Sequence, residues 1–424
     1  MTQTSDAILA RMMALHPKVI DLTLDRVWSL LEKMDNPQRR LPGVIHIAGT
    51  NGKGSTQAMM RAGLEGADKL VHAYTSPHLA WFHERIRLAG DLISEEALTD
   101  VLDRCYRANG PDPITYFEIT TVAALVAFAE THADYTLLEV GLGGRLDATN
   151  VVNEPELCII TPVDLDHQQF LGETLPEIAA EKAGILKRGV TCVVGPQKEE
   201  ALEVIERQAA RVGAPLLVHG QHWHVHEERE RLVFQDEQGL LDLPLPALRG
   251  PHQVMNAGGA IAALRALGMK EAACERAMTD VTWPARMEKL NDGALVDLVR
   301  PGDLWLDGGH NPAAGDAIAM TLKTLPNRPT HFVCGMLNTK EFRGFLKPLV
   351  GVAESITAVA IPGEENSLSA ADLAQAARDL GMPEAEAGTV TQALNDIVEN
   401  HPNARVVICG SLYLAGHIKR LNAT

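Results

Sequence analysis

Residues 44–64 constrain the fold more than any other stretch of the chain. An apolar run, Val44-Ile45-His46-Ile47-Ala48, gives way to Gly49-Thr50-Asn51-Gly52-Lys53-Gly54-Ser55-Thr56 and then to a helical pattern over 57–64. A strand that ends in glycines and feeds directly into a helix is a βα unit, and such units build parallel sheets. The loop also has chemistry. Glycines let backbone N–H groups curl round phosphate oxygens, Lys53 adds a cation, and the following helix presents its N-terminus. Ser55 or Thr56 is placed to ligate Mg²⁺. The strict G-x-x-x-x-G-K-[ST] pattern is not met, because position 47 is Ile and Gly54 separates Lys53 from Ser55. A bare glycine-rich turn is the competing interpretation; the strand before and the helix after favour a phosphate site.

The same alternation continues. Thr136-Leu137-Leu138-Glu139-Val140, Cys158-Ile159-Ile160-Thr161 and Thr191-Cys192-Val193-Val194 read as strands, with helical segments between them, such as 120–130. This predicts a mainly parallel sheet. Residues 216–247 break the rhythm. His222-Trp223-His224-Val225-His226, Arg231-Leu232-Val233-Phe234 and Gly239-Leu240-Leu241-Asp242-Leu243 alternate between turns and predict a small antiparallel insertion. The three histidines admit a metal site, but no carboxylate or cysteine has a matching spacing, and one face of an exposed strand accounts for them. After Trp283-Pro284-Ala285-Arg286 the alternation restarts with Leu304-Trp305-Leu306-Asp307, His331-Phe332-Val333-Cys334, Ile356-Thr357-Ala358-Val359-Ala360 and Val406-Val407-Ile408-Cys409. Two domains are expected, 1–287 and a smaller α/β domain over 288–424.

Composition narrows the function classes. At 424 residues, 46% hydrophobic and 22% charged, the chain is an ordinary globular one, neither disordered nor fibrous. A net charge of −17 argues against nucleic acid, which needs clustered cations, but not against small anions held by local groups. Six scattered cysteines without CxxC spacing speak against a zinc site or a disulfide framework. No apolar stretch reaches the ~18 residues that span a bilayer, and the N-terminus lacks a basic region followed by a long apolar run. A cytoplasmic protein without membrane association is expected.

Further polar groups sit just past strands, where open α/β sheets place ligands. Glu139 is an acid inside an apolar strand, costly to bury unless paired or metal-bound; an edge-strand surface position is the alternative. Thr161-Pro162-Val163-Asp164-Leu165-Asp166-His167 offers Asp and His groups suited to Mg²⁺ or Mn²⁺, or else forms a turn. Thr174-Leu175-Pro176-Glu177 opens a helix with a capping box, and Gly184 is expected at its C′ position. Lys182 near that helix's C-terminus is accounted for as a dipole-stabilising cation. Asp307-Gly308-Gly309-His310-Asn311-Pro312 ends a strand of the second domain. Arg286 is placed either to reach a phosphate or to bridge the domains.

Taken in order, these motifs resemble the folylpolyglutamate synthase/dihydrofolate synthase family of the Mur ligase superfamily over nearly the whole chain. The landmarks are Asp25-Arg26-Val27, the loop ending at Ser55, Thr75-Ser76-Pro77-His78-Leu79, Glu84-Arg85-Ile86 and Phe117-Glu118. They continue with residues 139–150 (EVGLGGRLDATN), Asp166-His167, Glu181-Lys182-Ala183-Gly184-Ile185, His252-Gln253 with Asn256, residues 283–286, residues 307–312 and Gly410-Ser411-Leu412-Tyr413. The resemblance implies an α/β fold: a P-loop central domain of Mur ligase type with a mainly parallel sheet and small antiparallel insertion, followed by a smaller Rossmann-like C-terminal domain. It implies that Asn51, Gly52, Lys53, Gly54, Ser55, Asn256, Arg286, Asp307 and His310 contact ATP. Ser55 and Glu139 would hold one Mg²⁺, and His167 would help hold a second. Lys182 corresponds to a lysine carbamylated in this family, which would then assist the metals. Lys53, Glu139, His167 and Lys182 form the implied catalytic set. Asp25, Arg26, Val27, Phe117, Glu118, Leu146, Asp147 and Ala148 fall where a pterin would lie. Two departures are small: DGGHNP stands for the usual DGAHNP, and WPAR for WPGR. Residues 335–341 follow the usual pattern more loosely, and they bear on the glutamate side.

The implied activity is a monomeric ligase that adds L-glutamate to dihydropteroate and to reduced folates through an acyl phosphate, with folylpolyglutamate synthesis alone as the alternative. A cell-wall Mur ligase would need a further N-terminal UDP-binding domain, whereas the P-loop here begins at residue 49. A P-loop ATPase or kinase would not depend on glutamate.

Overall fold

The computed structural model describes residues 4–16, 20–382 and 384–423. Two compact units emerge. The first comprises the chain to His78, Phe82–Ala247 and Val254–Val281; the second comprises Leu79–Trp81, Leu248–Gln253 and Thr282 onward.

The first unit is built on eight strands: β1 (Gly43–Ala48), β2 (Val71–Tyr74), β3 (Ile86–Leu88), β4 (Asp91–Leu92), β5 (Tyr135–Glu139), β6 (Leu157–Ile160), β7 (Cys192–Val194) and β8 (Leu216–Val218). Their order is β4-β3-β2-β5-β1-β6-β7-β8. All neighbours are parallel except the antiparallel pairs β2–β3 and β3–β4. The central strands are buried along most of their length, as continuous apolar runs require. Helix Tyr116–Glu130 is buried from Glu118 to Phe128, so no polar stripe marks a solvent face. Its start is set by a capping box between Thr115 and Glu118. Helix Glu199–Val212 instead buries one stripe, Ala201, Ile205 and Ala209.

The predicted insertion is present as β9 (Trp223–Glu228), β10 (Arg231–Asp236) and β11 (Gly239–Pro244), an antiparallel sheet of order β11-β10-β9. Leu216–Val218, read from sequence as part of it, is instead the parallel edge of the large sheet. Trp223, Val225, Leu232 and Phe234 face inward. Helix Pro251–Ala266 meets this sheet closely, since a side chain on Gly258 would strike Val225 and Trp223. A 3.0 Å ion pair, Arg265 to Asp236, adds a second tie. His224 and His226 point outward, and His222 precedes the strand and accepts a hydrogen bond from Val218 N at 3.0 Å.

The second unit holds β12 (Glu288–Leu290), β13 (Asp303–Leu306), β14 (Thr330–Cys334), β15 (Ser355–Ala358), β16 (Glu384–Glu386) and β17 (Arg405–Cys409) in the order β12-β13-β17-β14-β15-β16. Only β12 is antiparallel to its neighbour. Apolar clusters line both faces, one including Phe332, Phe345 and Ile356, the other Leu306, Val406 and Leu414. All six cysteines are free and buried. Among the described residues no helix is long and apolar enough to cross a membrane.

Candidate functional site

Three adjacent strands of the first unit end together. Parallel register pairs Ile47 with Glu139 and Ala48 with Ile160, so the loops after β5, β1 and β6 leave one edge of the sheet side by side. This brings together Glu139, the glycine loop and the 161–167 segment, which are far apart in sequence.

The glycine loop has a defined shape. Gly52 has φ +86° and is the N-cap of helix Lys53–Glu65, so no side chain caps the first-turn N–H groups. Those groups and the helix dipole favour an anion there. A Cβ at Gly52 would collide with Asn256 Oδ1, which puts that carboxamide against the turn. Thr50 N and Asn51 N donate to Pro162 O at 3.0 and 3.3 Å. Thr50 Oγ1 donates to Asp164 O at 2.9 Å and accepts from Asp164 N at 3.0 Å. Lys53 Nζ donates to Gly49 O (3.1 Å) and Thr50 O (3.3 Å). Ser55 and Glu139 are buried, at 3% and 6% exposure. Thr56, Thr161, Pro162, Gly195, Pro196 and Asn256 border a small open cleft beside the loop.

Lys182 is more than the dipole-stabilising cation that its helix position accounts for. It is buried, and its Nζ donates to Gly49 O at 2.9 Å, so two ammonium groups share one carbonyl. Burial and then the charge on Lys53 bring its pKa down to about 7, although Asp166, Asp147 and Glu181 oppose the shift. Its helix, Leu175–Ala183, has the expected capping box. Gly184, however, is the C-cap in a right-handed conformation. Glycine is needed there for proximity, since a Cβ would lie 2.5 Å from the Arg145 Cα. His167 adopts φ +53°, and its exposed ring lies 3.9 Å from Asp166.

The loop after β5 is organised by Asp147. Its Oδ1 accepts from Thr149 Oγ1 (2.5 Å) and Thr149 N (3.0 Å), and its Oδ2 accepts from Leu142 N (2.9 Å). Burial raises its pKa against these bonds. Thr149 Oγ1 also lies 2.9 Å from His46 Nε2. Gly141 admits the Phe117 ring, which a Cβ would strike. Leu146 is half-buried, and Ala148 is buried in the core cluster. Arg26 grips both oxygens of Glu118 at 2.9 Å and also reaches Asp21 at 2.9 Å. Asp25 is exposed on the same helix. Val27 is wholly buried in the core, so it anchors that helix instead of facing a ligand.

In the second unit Asp307 is buried, which raises its pKa against the opposing charge of Arg286. Its carboxylate accepts from Met287 N and Gly309 N, both at 2.7 Å. It therefore fixes the backbone beside Arg286 and beside His310. Arg286 Nη1 donates to Ala285 O at 2.8 Å. His310 Nδ1 donates to Gly308 O at 3.0 Å, since a carbonyl oxygen only accepts. Asn311 caps helix Pro312–Thr324 through Ala314 N.

Arg85 went unassigned from sequence. It is buried, donates to His78 Nδ1 at 3.0 Å and lies over the Phe82 ring at 5.2 Å. A cation immediately before the apolar start of a strand was the available signal.

Two family models match the chain: Mur ligase middle domain over residues 47–264, and Dihydrofolate synthetase, C-terminal domain, over 299–422. The chain is 33% identical to the dihydrofolate synthase/folylpolyglutamate synthase of Escherichia coli (strain K12), covering 95% of this chain and 92% of that one. It is 32% identical to the Bacillus subtilis (strain 168) protein of the same name, covering 94% of each. The solved structure of E. coli FolC in complex with DHPP and ADP matches with a TM-score of 0.89 at 32% identity, over 99% of this chain and 98% of that chain. A bifunctional folylpolyglutamate synthase/dihydrofolate synthase with Mn, AMPPNP and L-glutamate bound matches with a TM-score of 0.87 at 30% identity, over 99% and 98%. Sequence and fold agree over both units, and the chain belongs to the dihydrofolate synthase/folylpolyglutamate synthase family, built on the Mur ligase middle domain.

Proposed function

We propose that this chain is an ATP-dependent ligase that joins L-glutamate to dihydropteroate and to reduced folates. The observation that carries this is the uncapped helix start at Gly52, its loop tied by hydrogen bonds to the segment after a neighbouring strand and flanked by buried Ser55 and Glu139. Relatives solved with ADP and DHPP, and with Mn, AMPPNP and L-glutamate, support the choice of substrates and of a divalent metal.

Ser55 and Glu139 are hard oxygen donors, which suits Mg²⁺, an ion that completes its shell with phosphate oxygens and water. In this proposal they hold one ion, and His167, with Lys182 if carbamylated, helps hold a second. When bound, the metal stabilises charge on the transferring phosphoryl group. The chain's own groups do the rest. Backbone N–H groups at Gly52, Lys53 and Gly54 orient the phosphates, and the Lys53 ammonium balances their charge. Asn51, Asn256, Arg286 and His310 contact ATP, with Asp307 holding the backbone around the last two. The γ-phosphoryl group passes to the substrate carboxylate, giving ADP and an acyl phosphate. The amine of glutamate attacks the carbonyl carbon, the C–N bond forms, and phosphate leaves as the amine loses a proton. The loop shaped by Asp147, with Leu146 and Ala148, and the Asp25, Arg26, Phe117 and Glu118 group lie on the pterin side. Lys182, half neutral near pH 7, is nucleophilic enough to take up CO₂ as a carbamate. The enzyme is taken as a cytoplasmic monomer acting on small molecules.

The test is ADP release with dihydropteroate or tetrahydrofolate, each with and without glutamate. Turnover with both pterins, only when glutamate is present, is expected. Release that ignores glutamate would mark a plain ATPase. Turnover with tetrahydrofolate alone would reduce the activity to folylpolyglutamate synthesis, the name carried by a 30% identical Lacticaseibacillus casei relative.

A further inference from the structure

His46 is an unusual occupant of the central strand of a parallel sheet. Its strand is flanked by β5 and β6, where it pairs with Leu138 and Cys158, and it is 1% exposed. An imidazole in that position needs a partner, and it has one. Its Nε2 lies 2.9 Å from Thr149 Oγ1, and Thr149 Oγ1 lies 2.5 Å from Asp147 Oδ1. A threonine hydroxyl has a single hydrogen. The 2.5 Å separation is that of a charge-assisted O–H···O⁻ bond, so the hydrogen lies toward Asp147. The Thr149 oxygen must then accept from His46, which fixes the imidazole as the neutral Nε2–H form. Burial, together with the charge on Lys187, keeps it neutral by lowering its pKa to about 3. The chain of bonds goes on through Asp147 Oδ2 to Leu142 N. One end is thus the strand that carries the phosphate loop, three residues before Gly49. The other is the 141–150 loop.

We infer that His46 is a positioning residue for the pterin-side substrate, acting through Thr149 and Asp147 to hold the 141–150 loop in register with the phosphate-loop strand. This inference rests on the proposed pterin-side role of that loop. His46 touches neither substrate. Its loss loosens the loop without altering the phosphate-binding backbone, so the effect falls on one substrate only.

The experiment is steady-state ADP release by the full chain and its variants, with dihydropteroate and ATP each varied. His46→Leu is expected to raise the KM for dihydropteroate roughly tenfold, the worth of one hydrogen bond in a charged chain, while the ATP KM stays within about twofold. His46→Gln keeps an N–H donor and is expected to restore most of the loss. Thr149→Val cuts the same link, so adding His46→Leu to it should do no further harm. Additive effects, or an equal rise in the ATP KM, overturn the inference. Asp147→Asn separates the two levels. If it raises the dihydropteroate KM while His46→Leu is silent, only the positioning role fails. If it leaves that KM unchanged, the loop's pterin-side role fails and the positioning role with it. Should His46→Leu not fold, isotope-labelled histidine NMR of the native chain decides, with His46→Gln for assignment: an Nδ1–H tautomer overturns the inference.

Discussion

Replacing Lys182 with methionine removes a buried charge while keeping most of the side chain's bulk, and the consequence can be worked out. Burial, with Lys53 second, brings the amine from its ordinary 10.5 to about 7 in the folded protein. A base whose folded pKa is depressed is held less protonated in the native state than in the unfolded one. Between pH 7 and 10.5 the unfolded chain therefore binds more protons, and stability rises with pH. The full window is worth about 5 kcal/mol, and the part between pH 7 and pH 9 about 2 kcal/mol. Urea unfolding at those two pH values, in CO₂-free buffer, should show that increment in the native chain and not in Lys182→Met. Bicarbonate should raise the stability of the native chain and leave its slope no shallower, because a carbamylated native amine takes up no proton while the unfolded one still does. Labelled bicarbonate should then give a carbamate signal that the variant lacks. Parallel pH profiles for the two proteins without CO₂ would refute the buried-amine account. Full activity in Lys182→Met would refute a catalytic part for the side chain.

Glu139→Ala and Lys53→Ala should each abolish glutamate-dependent ADP release while circular dichroism still reports a native fold; full turnover in Glu139→Ala would end the metal assignment. Ala285 stands at φ +53°, a left-handed conformation that costs an L-residue about 1–2 kcal/mol, so Ala285→Gly should raise the unfolding free energy by about 1 kcal/mol, read as a higher urea midpoint at unchanged slope. His46 and His252 are held neutral by burial, with pKa values of about 3 and about 4 against an ordinary 6.5. Stability present above pH 6.5 is then lost as pH falls toward those values, by about 2 kcal/mol for each at pH 5; His252→Asn should remove its share of that loss in unfolding experiments.

Strands show in sequence as apolar runs where both faces are buried, and as alternation where one face is exposed, as in β9–β11. β1, β5, β6, β14 and β17 are largely apolar runs, and each was located to within a residue or two. β2, β3, β4 and β12 were not: β2 is short and holds His72, and the others are very short strands at or next to a sheet edge that carry Arg87, Asp91 and Lys289 and share the composition of loops. Glu139 and Asp307 were legible as carboxylates at the ends of apolar runs. The burial of Lys182 was not, since it depends on Gly49, 133 residues away. The pairing of His46 with Thr149, 103 residues apart, escaped for the same reason. Helical spacing tells which residues share a face but not what that face meets. The replacement of the usual WPGR by WPAR looked harmless, yet its alanine sits in backbone that favours glycine.

The bonds between residues 50–51 and 162–164 have a consequence for time as well as place. Ordering a free backbone residue costs about 1–2 kcal/mol in entropy. Here folding has already set the glycine loop's shape, because its second and third residues hang on a neighbouring strand's extension. An arriving nucleotide meets a finished mould and has little disorder to freeze. Its capture should follow simple encounter, with a rate proportional to concentration and no slow conformational phase after mixing.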